Sequence, residues 1–377
     1  MKILLLADSQ SPHTIKWVRA LAGADIQVLV AGLRPANAAL YQEYPQVQVE
    51  YLGVTAGVGR PAFRALDKLS YLKALPALKR FIRDFKPDIL HAHYASSYGL
   101  LGALSGFTPY FVSVWGSDVY AFPKKSWLHA AVLKFALKRA SRIFSTSRHM
   151  TAEVSQYTTR PLHTVPFGVD TEQFIPVTRS SLGGAELVIG TVKTMEPHYG
   201  IEYLIRAFAL LREQLPEQPL RLLIVGGGPQ LGQLQQLATE LGLETCCEFT
   251  GRVPYQQVIA YHQRLDICVV PSLRESFGVA VLEASSCAKP VIASKVDGLP
   301  EVVEHQQTGF LVGAKDVQAL AQRLNQLCQD NELRQQMGAN GRAMVMRRYH
   351  WPEQVQQMIQ HYQQALAANQ KEPHGLA

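Results

Sequence analysis

Short apolar runs of strand length alternate with helical stretches along the first 115 residues, and the same alternation starts again after residue 185. This pattern favours parallel sheets, because each pair of parallel strands needs a long crossover connection, usually a helix. The first series of predicted elements has strands at 3–6, 26–30, 89–91 and 110–114 and helices at 14–21 and 72–85. The second has strands at 187–190, 221–225, 247–249, 267–270 and 291–293 and helices at 201–215, 231–241, 258–263, through Glu283 and at 317–327. The sequence therefore predicts an α/β fold with two Rossmann-like, doubly wound parallel sheets.

The chain is also long enough for two domains. At 377 residues it exceeds the size at which a single hydrophobic core usually stops growing, about 250–300 residues. Proline, glycine and polar residues are concentrated between Pro166 and Gly184, which is typical of a hinge. We predict domains at 1–166 and 185–350, followed by a last helix at 351–368. Ligands are expected in a cleft that the two domains face, at the carboxyl ends of their strands.

Composition narrows the class of protein. No apolar run approaches the roughly 20 residues of a membrane-spanning helix. The opening segment, Met1 to Asp8, is interrupted by charge too early for a signal peptide and suits a first strand. The five cysteines are odd in number, lack metal-ligand spacing and mostly lie in apolar segments. These features favour a cytoplasmic protein, and no nucleic-acid-binding module is recognisable.

Charge is distributed unevenly. Residues 1–167 contain 20 Lys and Arg against 9 Asp and Glu, a net +11, whereas residues 168–377 contain 17 against 21, a net −4. Two basic runs interleaved with leucines and aromatics carry the excess: Lys68, Lys73, Lys79, Arg80, Arg83 and Lys86, then Lys124, Lys125, Lys134, Lys138, Arg139 and Arg142. Such runs dock on anionic lipid headgroups in some proteins and are solvated faces of core helices in others. The sequence leaves both interpretations open, including a peripheral position on the inner face of the cytoplasmic membrane.

Two glutamates, Glu275 and Glu283, stand eight positions apart directly after the apolar run at 267–271. Eight helical residues rise about 12 Å, which exceeds the roughly 5–9.5 Å between the carboxylates of a glycoside hydrolase. The spacing suits the two ends of an elongated ligand such as a nucleotide diphosphate sugar. The helix N-terminus at Ser276, Phe277, Gly278 and Val279 would offer N–H groups to its phosphates, and Gly278 would allow a close approach. The alternative is that both glutamates are solvated charges on an ordinary helix.

The wider sequence resembles the signature of retaining GT-B glycosyltransferases of family four. The resembling blocks, which cover nearly the whole chain, are Pro271 to Ala284, Pro290 to Ala293, Asp88 to His93, Trp115 to Asp118, Val165 to Phe174, Val225 to Pro229, Phe249 to Pro254 and Leu299 to Val303. The resemblance implies a GT-B fold with an N-terminal acceptor-binding domain, a C-terminal nucleotide-sugar-binding domain and a last helix that crosses back to the first domain. It also implies that Glu283 binds the ribose diol. Glu275, with N–H groups of Phe277 to Val279, would hold the transferred sugar and the adjacent phosphate.

Two glycine-containing turns receive different interpretations. The contiguous glycines at 226–228 follow a strand but lack the spacing of a dinucleotide-binding loop, so they favour a structural turn and argue against an NAD-dependent oxidoreductase. The turn after Gly251 lies against the nucleobase in the resembling family, which makes Arg252 and Val253 candidates for the base site. The alternative for Arg252 and Val253 is a plain turn between a strand and a helix.

The sequence departs from the family pattern at several positions. Thr194 and Tyr199 occupy the places of the usual Arg and Lys that clamp the diphosphate, while Lys193 and His198 are displaced by one residue. We favour Lys193, because departing diphosphate needs positive charge. In the first domain, Trp115 replaces a histidine that often touches the transferred sugar. His13 and His93 are further candidates on the sugar or acceptor side, and Asp118 is a catalytic candidate as the polar group that would meet the donor or the acceptor. Strand alternation points His91 and His93 to opposite faces, so at most one of them reaches the ligand.

The activity that the resemblance implies is retaining transfer of a sugar from a nucleotide diphosphate sugar to a hydroxyl of a saccharide or lipid-linked acceptor, in synthesis of cell-envelope polysaccharide or glycolipid. No metal ion and no cofactor beyond the donor are expected, since the sequence has no Asp-x-Asp motif or histidine cluster suited to a divalent ion. Alternatives are a catalytically silent sugar-nucleotide-binding protein and a GT-B nucleotide-sugar epimerase. A phosphorylase is disfavoured because no pyridoxal-binding lysine context is apparent.

Overall fold

The computed structural model describes residues 1–35, 37–54, 71–177 and 186–371, with backbone alone for 369–371. Contacts divide the chain into two compact units. The first consists of Met1–Pro166 and Gln354–Ala377, and the second of Phe167–Glu353. Residues 178–184 of the predicted hinge, and Lys68 of the first basic run, lie outside the described residues.

The first unit is built on a parallel sheet with strand order β3-β2-β1-β4-β5-β6-β7. The strands are β1 (Lys2–Leu6), β2 (Gln27–Gly32), β3 (Val47–Tyr51), β4 (Ile89–His93), β5 (Tyr110–Ser113), β6 (Arg142–Ser145) and β7 (Leu162–Thr164). The helices are α1 (Pro12–Gly23), α2 (Leu75–Phe85), α3 (Tyr98–Ser105), α4 (Ser117–Tyr120), α5 (Trp127–Arg139) and α6 (Arg148–Ser155). Ile3 to Leu6 are fully buried, as expected for a strand covered on both faces by helices.

The second unit has a six-stranded parallel sheet with strand order β10-β9-β8-β11-β12-β13. Its strands are β8 (Leu187–Val192), β9 (Leu220–Val225), β10 (Cys247–Phe249), β11 (Ile267–Val270), β12 (Val291–Ser294) and β13 (Gly309–Val312). Its helices are α7 (Ile201–Gln214), α8 (Leu231–Glu240), α9 (Tyr255–Arg264), α10 (Val279–Ser286), α11 (Leu299–Val302), α12 (Val317–Gln329) and α13 (Asn331–Arg348). The prediction of doubly wound parallel sheets is confirmed in both units.

A last helix, α14 (Trp351–Lys371), extends beyond the predicted range at both ends. From Gln354 onward its residues belong to the first unit. There the hydroxyl of Tyr362 lies 2.7 Å from Nδ1 of His91, and the Tyr362 and Phe111 rings stack with centroids 5.7 Å apart. The buried aromatic side of α14 is therefore an integral part of the first unit's core.

Candidate functional site

A cavity of 520 Å³ opens in the second unit around the carboxyl ends of β8 and β9. It is lined by residues 192–194 and 225–228, and by Glu196, Arg252, Val253, Tyr255, Val258 and Glu283. The cavity therefore brings together Lys193, Arg252, Val253 and Glu283, four residues that the sequence proposed for donor binding. This is the position at which open α/β sheets bind ligands.

A larger groove of 720 Å³ lies elsewhere on the second unit, along α12. Its lining is mostly amide side chains and contains no Lys, Arg or His among the described residues. A diphosphate needs positive charge or aligned N–H groups. The groove along α12 lacks such a cation, and at the start of that helix the Asp316 carboxylate already accepts from the Ala319 N–H at 2.9 Å, so the 520 Å³ cavity suits an anion better.

The glycines at 226–228 form the floor of the cavity as a structural turn. Gly226 has φ +134°, and a Cβ there would collide with the carbonyl oxygen of Lys193. A Cβ on Gly228 would lie 2.6 Å from the carbonyl oxygen of Met195, whose N–H donates to the Gly227 carbonyl at 3.0 Å. Glycine is thus required here so that this turn can pack against the loop that carries Lys193.

Lys193 forms a buried ion pair with Glu275. Its Nζ lies 2.6 Å from Oε2 of Glu275, and the two side chains are only 14% and 8% exposed. Burial alone would lower the pKa of Lys193, but the Glu275 carboxylate, with smaller contributions from Tyr199 and Glu283, raises it above its usual range. Nζ also lies 4.3 Å from the centroid of the Tyr199 ring. Lys193 therefore carries a fixed positive charge at neutral pH.

Glu275 lies in a loop rather than in a helix. The helix α10 begins at Val279, so only the second half of the segment from Glu275 to Glu283 is helical, and the assumption of eight helical residues behind the 12 Å rise was wrong. The loop is fixed by the Glu275 N–H, which donates to Oδ2 of Asp297 at 3.0 Å, and by the Gly298 N–H, which donates to the Glu275 carbonyl at 3.0 Å. These contacts fix the backbone that presents the carboxylate to Lys193.

The start of α10 offers backbone donors. Gly278 adopts φ +104°, a conformation that favours glycine. The N–H groups of Phe277, Gly278 and Val279 have no acceptor among the described residues. The Phe277 side chain is buried against Phe167 and Tyr349, with ring centroids 6.4 and 5.7 Å away, so only its backbone can serve a ligand. Free N–H groups at a helix N-terminus suit an anion.

Glu283 is held by a histidine that the sequence interpretation missed. Nε2 of the fully buried His262 lies 3.2 Å from Oε2 of Glu283. His262 follows the cavity-lining Val258 by four positions in α9, which places both on one face of that helix. The sequence signal that could have indicated His262 was its position on the inner face of a helix, four residues after Val258. Glu283 is 21 residues further along the chain, so only the folded structure shows that the two side chains form a pair.

His198 has a backbone role beside the cavity. Its carbonyl oxygen accepts from the N–H groups of Leu273 and Arg274, at 2.8 and 3.2 Å, and so supports the loop of Glu275. The pKa of the His198 ring is lowered, mainly by burial. The ring packs on Tyr199 with centroids 4.1 Å apart and is not part of the cavity lining. Of the two displaced candidates for the phosphate clamp, Lys193 is the one at the cavity.

The predicted residues of the first unit form an aromatic cluster. The Trp115 ring lies 4.3 Å from that of His93 and 5.8 Å from that of His13, measured between centroids. Burial, followed by the charges of His91 and His13, lowers the pKa of His93 well below its usual range, so the ring is neutral at physiological pH. Nδ1 of His93 is buried and has no hydrogen-bond partner among the described residues. The cluster therefore offers one unused imidazole nitrogen.

The expectation that His91 and His93 point to opposite faces was wrong. Residues two apart on a strand lie on the same face. The two rings indeed stand 5.0 Å apart, and His91 is fixed by Ser113 Oγ at 2.8 Å and by the Tyr362 hydroxyl. His91 thus has a structural role behind His93.

Asp118 is fully buried and holds the loop that carries Trp115. Its Oδ2 accepts from the Ala95 N–H at 2.9 Å, and Oδ1 accepts from the N–H groups of Trp115 and Gly116 at 3.2 and 2.9 Å. Burial raises its pKa, and the three backbone donors oppose that rise. The structure therefore supports a positioning role for Asp118, in place of the direct contact with donor or acceptor that the sequence suggested.

Comparison with known proteins identifies the family. A model described as "Glycosyl transferases group 1" matches residues 179–344, and one described as "Glycosyl transferase 4-like" matches residues 2–147. A GDP-mannose-dependent alpha-(1-6)-phosphatidylinositol monomannoside mannosyltransferase from Mycolicibacterium smegmatis is 30% identical over 302 residues, which cover 73% of this chain and 76% of that enzyme. The chain belongs to the group 1 family of glycosyltransferases.

A second relative of this group 1 protein is also named as a glycosyltransferase. The D-inositol 3-phosphate glycosyltransferase of Corynebacterium jeikeium is 36% identical over 195 residues. That match covers 48% of this chain and 46% of the relative, so the chain spans about half the length of that relative.

Solved structures confirm the GT-B fold class. Sucrose-phosphate synthase from Thermosynechococcus elongatus superposes with a TM-score of 0.85 at 24% identity, covering 98% of this chain and 100% of that chain. HepE from Anabaena in complex with UDP-glucose gives 0.78 at 23% identity, covering 97% of this chain and 100% of that chain. At these identities the likeness concerns the fold alone.

Two features are absent from the described residues of this group 1 protein. No helix there is both long and apolar enough to cross a membrane. No group of three or more His, Cys, Asp or Glu side chains in the described ranges is arranged to hold a metal ion.

Proposed function

We propose that the protein is a retaining glycosyltransferase that moves a sugar from a nucleotide diphosphate sugar to a hydroxyl of a saccharide or lipid-linked acceptor. The observation that carries this proposal is the cavity of the second unit, where Lys193 and Arg252 stand with Glu283. These groups match the three parts of a nucleotide diphosphate sugar. Glu275 matches the sugar, its partner Lys193 and the free N–H groups at the start of α10 match the diphosphate, and Glu283 matches the ribose.

Each group has a role in the proposed reaction. Glu283 accepts hydrogen bonds from the ribose hydroxyls, and Arg252 and Val253 lie beside the base. Lys193 and the N–H groups of residues 277–279 stabilise the charge that develops on the departing diphosphate. Glu275 holds the hydroxyls of the transferred sugar and orients its anomeric carbon.

Retention follows from displacement on one face of the sugar. The bond from the anomeric carbon to the phosphate oxygen breaks while the acceptor oxygen bonds to the same face, and the acceptor proton moves to the departing phosphate oxygen. No protein nucleophile is needed in this scheme. Glu275 is engaged by Lys193 at 2.6 Å, which suits a positioned carboxylate better than an attacking one.

The acceptor side of the proposal rests on the first unit. The partly exposed His13 lies against the buried rings of Trp115 and His93, and imidazole and indole side chains are of the kind that bind sugars. One relative is named as a D-inositol 3-phosphate glycosyltransferase and another as a mannosyltransferase acting on phosphatidylinositol monomannoside. We therefore propose a saccharide or a lipid-linked sugar in the synthesis of cell-envelope polysaccharide or glycolipid as acceptor.

A thermal-shift panel of nucleotide sugars tests the proposed function. A donor present at 100 times its dissociation constant should stabilise the protein by about 2.7 kcal/mol. Hydrolysis or transfer of the stabilising donor is then measured with purified protein. Stabilisation without any turnover would favour a silent sugar-nucleotide-binding protein, interconversion of the nucleotide sugar would favour an epimerase, and no stabilisation by any nucleotide sugar would refute the proposal.

Activity should survive excess chelator. In the proposed site, the diphosphate is stabilised by the positive charge of Lys193 and by the free N–H groups at the start of α10, so a divalent ion is not required to stabilise the departing group. The measurement is the initial rate of sugar transfer with and without EDTA, after dialysis against it. Loss of activity that manganese restores would contradict this prediction.

We propose in addition that the first unit docks on anionic membrane. Trp127 at the start of α5 is 81% exposed and the adjacent Leu128 is 41% exposed. Lys134 and Lys138 are exposed at seven and eleven positions beyond Trp127, which places all three on one stripe of α5. An exposed tryptophan beside lysines suits the interface of an anionic bilayer.

Substitution of Lys125, Lys134 and Lys138 by glutamine should weaken vesicle binding roughly 100-fold, since each lysine near the surface contributes about 1 kcal/mol. Flotation with anionic and neutral vesicles at increasing salt is the measurement, and binding should fall with salt. Lys124→Gln is the matched control with a smaller effect, because Lys124 Nζ already pairs with Glu153 at 2.6 Å. Failure of the wild type to bind anionic vesicles at low salt would make these lysines ordinary solvated charges.

A further inference from the structure

We propose that His262 is a positioning residue that aligns the Glu283 carboxylate for the ribose of the donor, so that discrimination between ribose and 2-deoxyribose depends on His262. This inference rests on the proposed function, because it assumes that Glu283 faces a nucleotide. It adds to that function a residue of this chain that touches no ligand itself.

The hydrogen bond between the two side chains has one possible direction. An ionised carboxylate only accepts, so Nε2 of His262 carries the proton and donates to Oε2 of Glu283 across 3.2 Å. Nδ1 of His262 is buried and has no partner in the described part of the chain. The imidazole therefore has Glu283 as its only hydrogen-bonding partner among those residues, and the rest of its surroundings are packing contacts such as the Phe174 ring at 5.9 Å.

Only one oxygen of Glu283 is occupied by this contact. Oε2 accepts from His262, whereas Oε1 forms no hydrogen bond with any described residue. Glu283 lines the 520 Å³ cavity although most of its side chain is buried. A carboxylate held at one oxygen and open at the other is prepared to accept hydrogen bonds from a ligand diol.

The helix α9 supports this assignment as a whole. Tyr255, Val258 and His262 follow one another at three and four positions, so they lie along one face of α9. Tyr255 and Val258 line the cavity, and burial, followed by the charges of Glu283 and Asp170, raises the pKa of Tyr255. The same face of α9 therefore lines the cavity through Tyr255 and Val258 and holds Glu283 through His262.

Replacing His262 by a residue without an N–H group should leave the Glu283 carboxylate free to move. In His262→Phe the ring volume is kept while the only hydrogen bond to Glu283 is lost, so Glu283 can turn toward water or toward Lys193. A hydrogen bond to a charged group is worth enough to change affinity roughly tenfold or more. We expect roughly tenfold weaker binding of the ribonucleotide and a smaller loss for the 2′-deoxy form, because the deoxy ligand keeps only the 3′-hydroxyl of the diol that Glu283 would accept from.

Calorimetric titration with UDP, GDP and their 2′-deoxy forms is the test. The wild type should prefer the ribonucleotide, His262→Phe should lose most of that preference, and His262→Gln, which retains an N–H donor, should recover part of it. His305→Phe is the matched control, since His305 accepts from the Leu311 N–H at 3.0 Å in another part of the unit and should change neither affinity.

A double-variant cycle separates positioning from general damage. If His262 acts through Glu283, adding His262→Phe to Glu283→Gln should weaken nucleotide binding no further. An equal loss for ribose and deoxyribose ligands, or full additivity with Glu283→Gln, would overturn the inference; if His262→Phe does not fold, the preference ratio of His262→Gln decides. Binding of no nucleotide by the wild type would refute the proposed function itself.

Discussion

Glu275→Gln should lower kcat by about 100-fold or more with little change in the donor KM, a size typical of losing one transition-state contact. The Glu275 carboxylate is proposed to hold the sugar hydroxyls while the anomeric carbon changes partners, and it also holds Nζ of Lys193 at 2.6 Å. Glu283→Gln should instead mainly raise the donor KM, because ribose binding is the same in ground and transition states. Steady-state rates at varied donor and saturating acceptor separate the two effects.

Glu332→Gln provides a matched control for this pair of variants. Glu332 is an exposed residue in the first turn of α13, so its substitution should change neither kcat nor KM. Equal and mild effects from Glu275→Gln and Glu283→Gln would contradict the separate roles assigned to them.

Much of the fold was predictable because apolar runs with clear boundaries formed nine of the thirteen strands that the described residues contribute to the two sheets. The predicted strand at 267–270 is found unchanged as β11, where Asp266 and Pro271 interrupt the apolar run on either side. Four strands were not predicted, namely β3, β6, β7 and β13. In β3, Val47, Val49 and Tyr51 alternate with polar residues at the edge of the sheet. Edge strands carry a weaker apolar signal than strands covered on both faces.

The candidate site was predictable at the level of residue type and less so at the level of contacts. The sequence placed Glu275 and Glu283 near one ligand through the resembling block from Pro271 to Ala284, and it added Lys193 because the departing diphosphate needs positive charge. Lys193 and Glu283 line one cavity. The sequence did not reveal that Lys193 and Glu275, separated by 82 positions, form a buried pair. Nor did the sequence indicate His262, because the role of a buried histidine depends on the side chain that it contacts, here the Glu283 carboxylate.

Lys193→Met should destabilise the protein by about 3–5 kcal/mol, the typical result of removing one partner of a buried ion pair. The substitution leaves the Glu275 carboxylate, 8% exposed, without its cation. The double variant Lys193→Met with Glu275→Gln should recover most of that stability, because no buried charge is left unpaired. Denaturant unfolding of the wild type, both single variants and the double variant measures the coupling.

Arg221→Met is the control for this measurement. It breaks the pair of Arg221 with Glu186, which has the same 2.6 Å separation but side chains that are 32% and 42% exposed. Surface pairs contribute about 0–1 kcal/mol, so the control should lose at most that amount. A loss in Lys193→Met no larger than in Arg221→Met would show that the buried pair does not stabilise the fold.

Stability and activity should separate in the double variant, and that separation distinguishes a structural ion pair from a catalytic one. The double variant is expected to fold nearly as well as the wild type and to remain about 100-fold or more slower, because neither the lysine nor the carboxylate is present at the departing diphosphate. The pKa of Lys193 is raised in the folded protein, so the contribution of the pair is present below the unfolded pKa of about 10.4 and is lost as pH rises through the folded value. The stability difference between wild type and double variant should therefore be constant from about pH 7 to 10 and change only above that range. Recovery of activity together with stability would mean that Lys193 and Glu275 serve the fold alone.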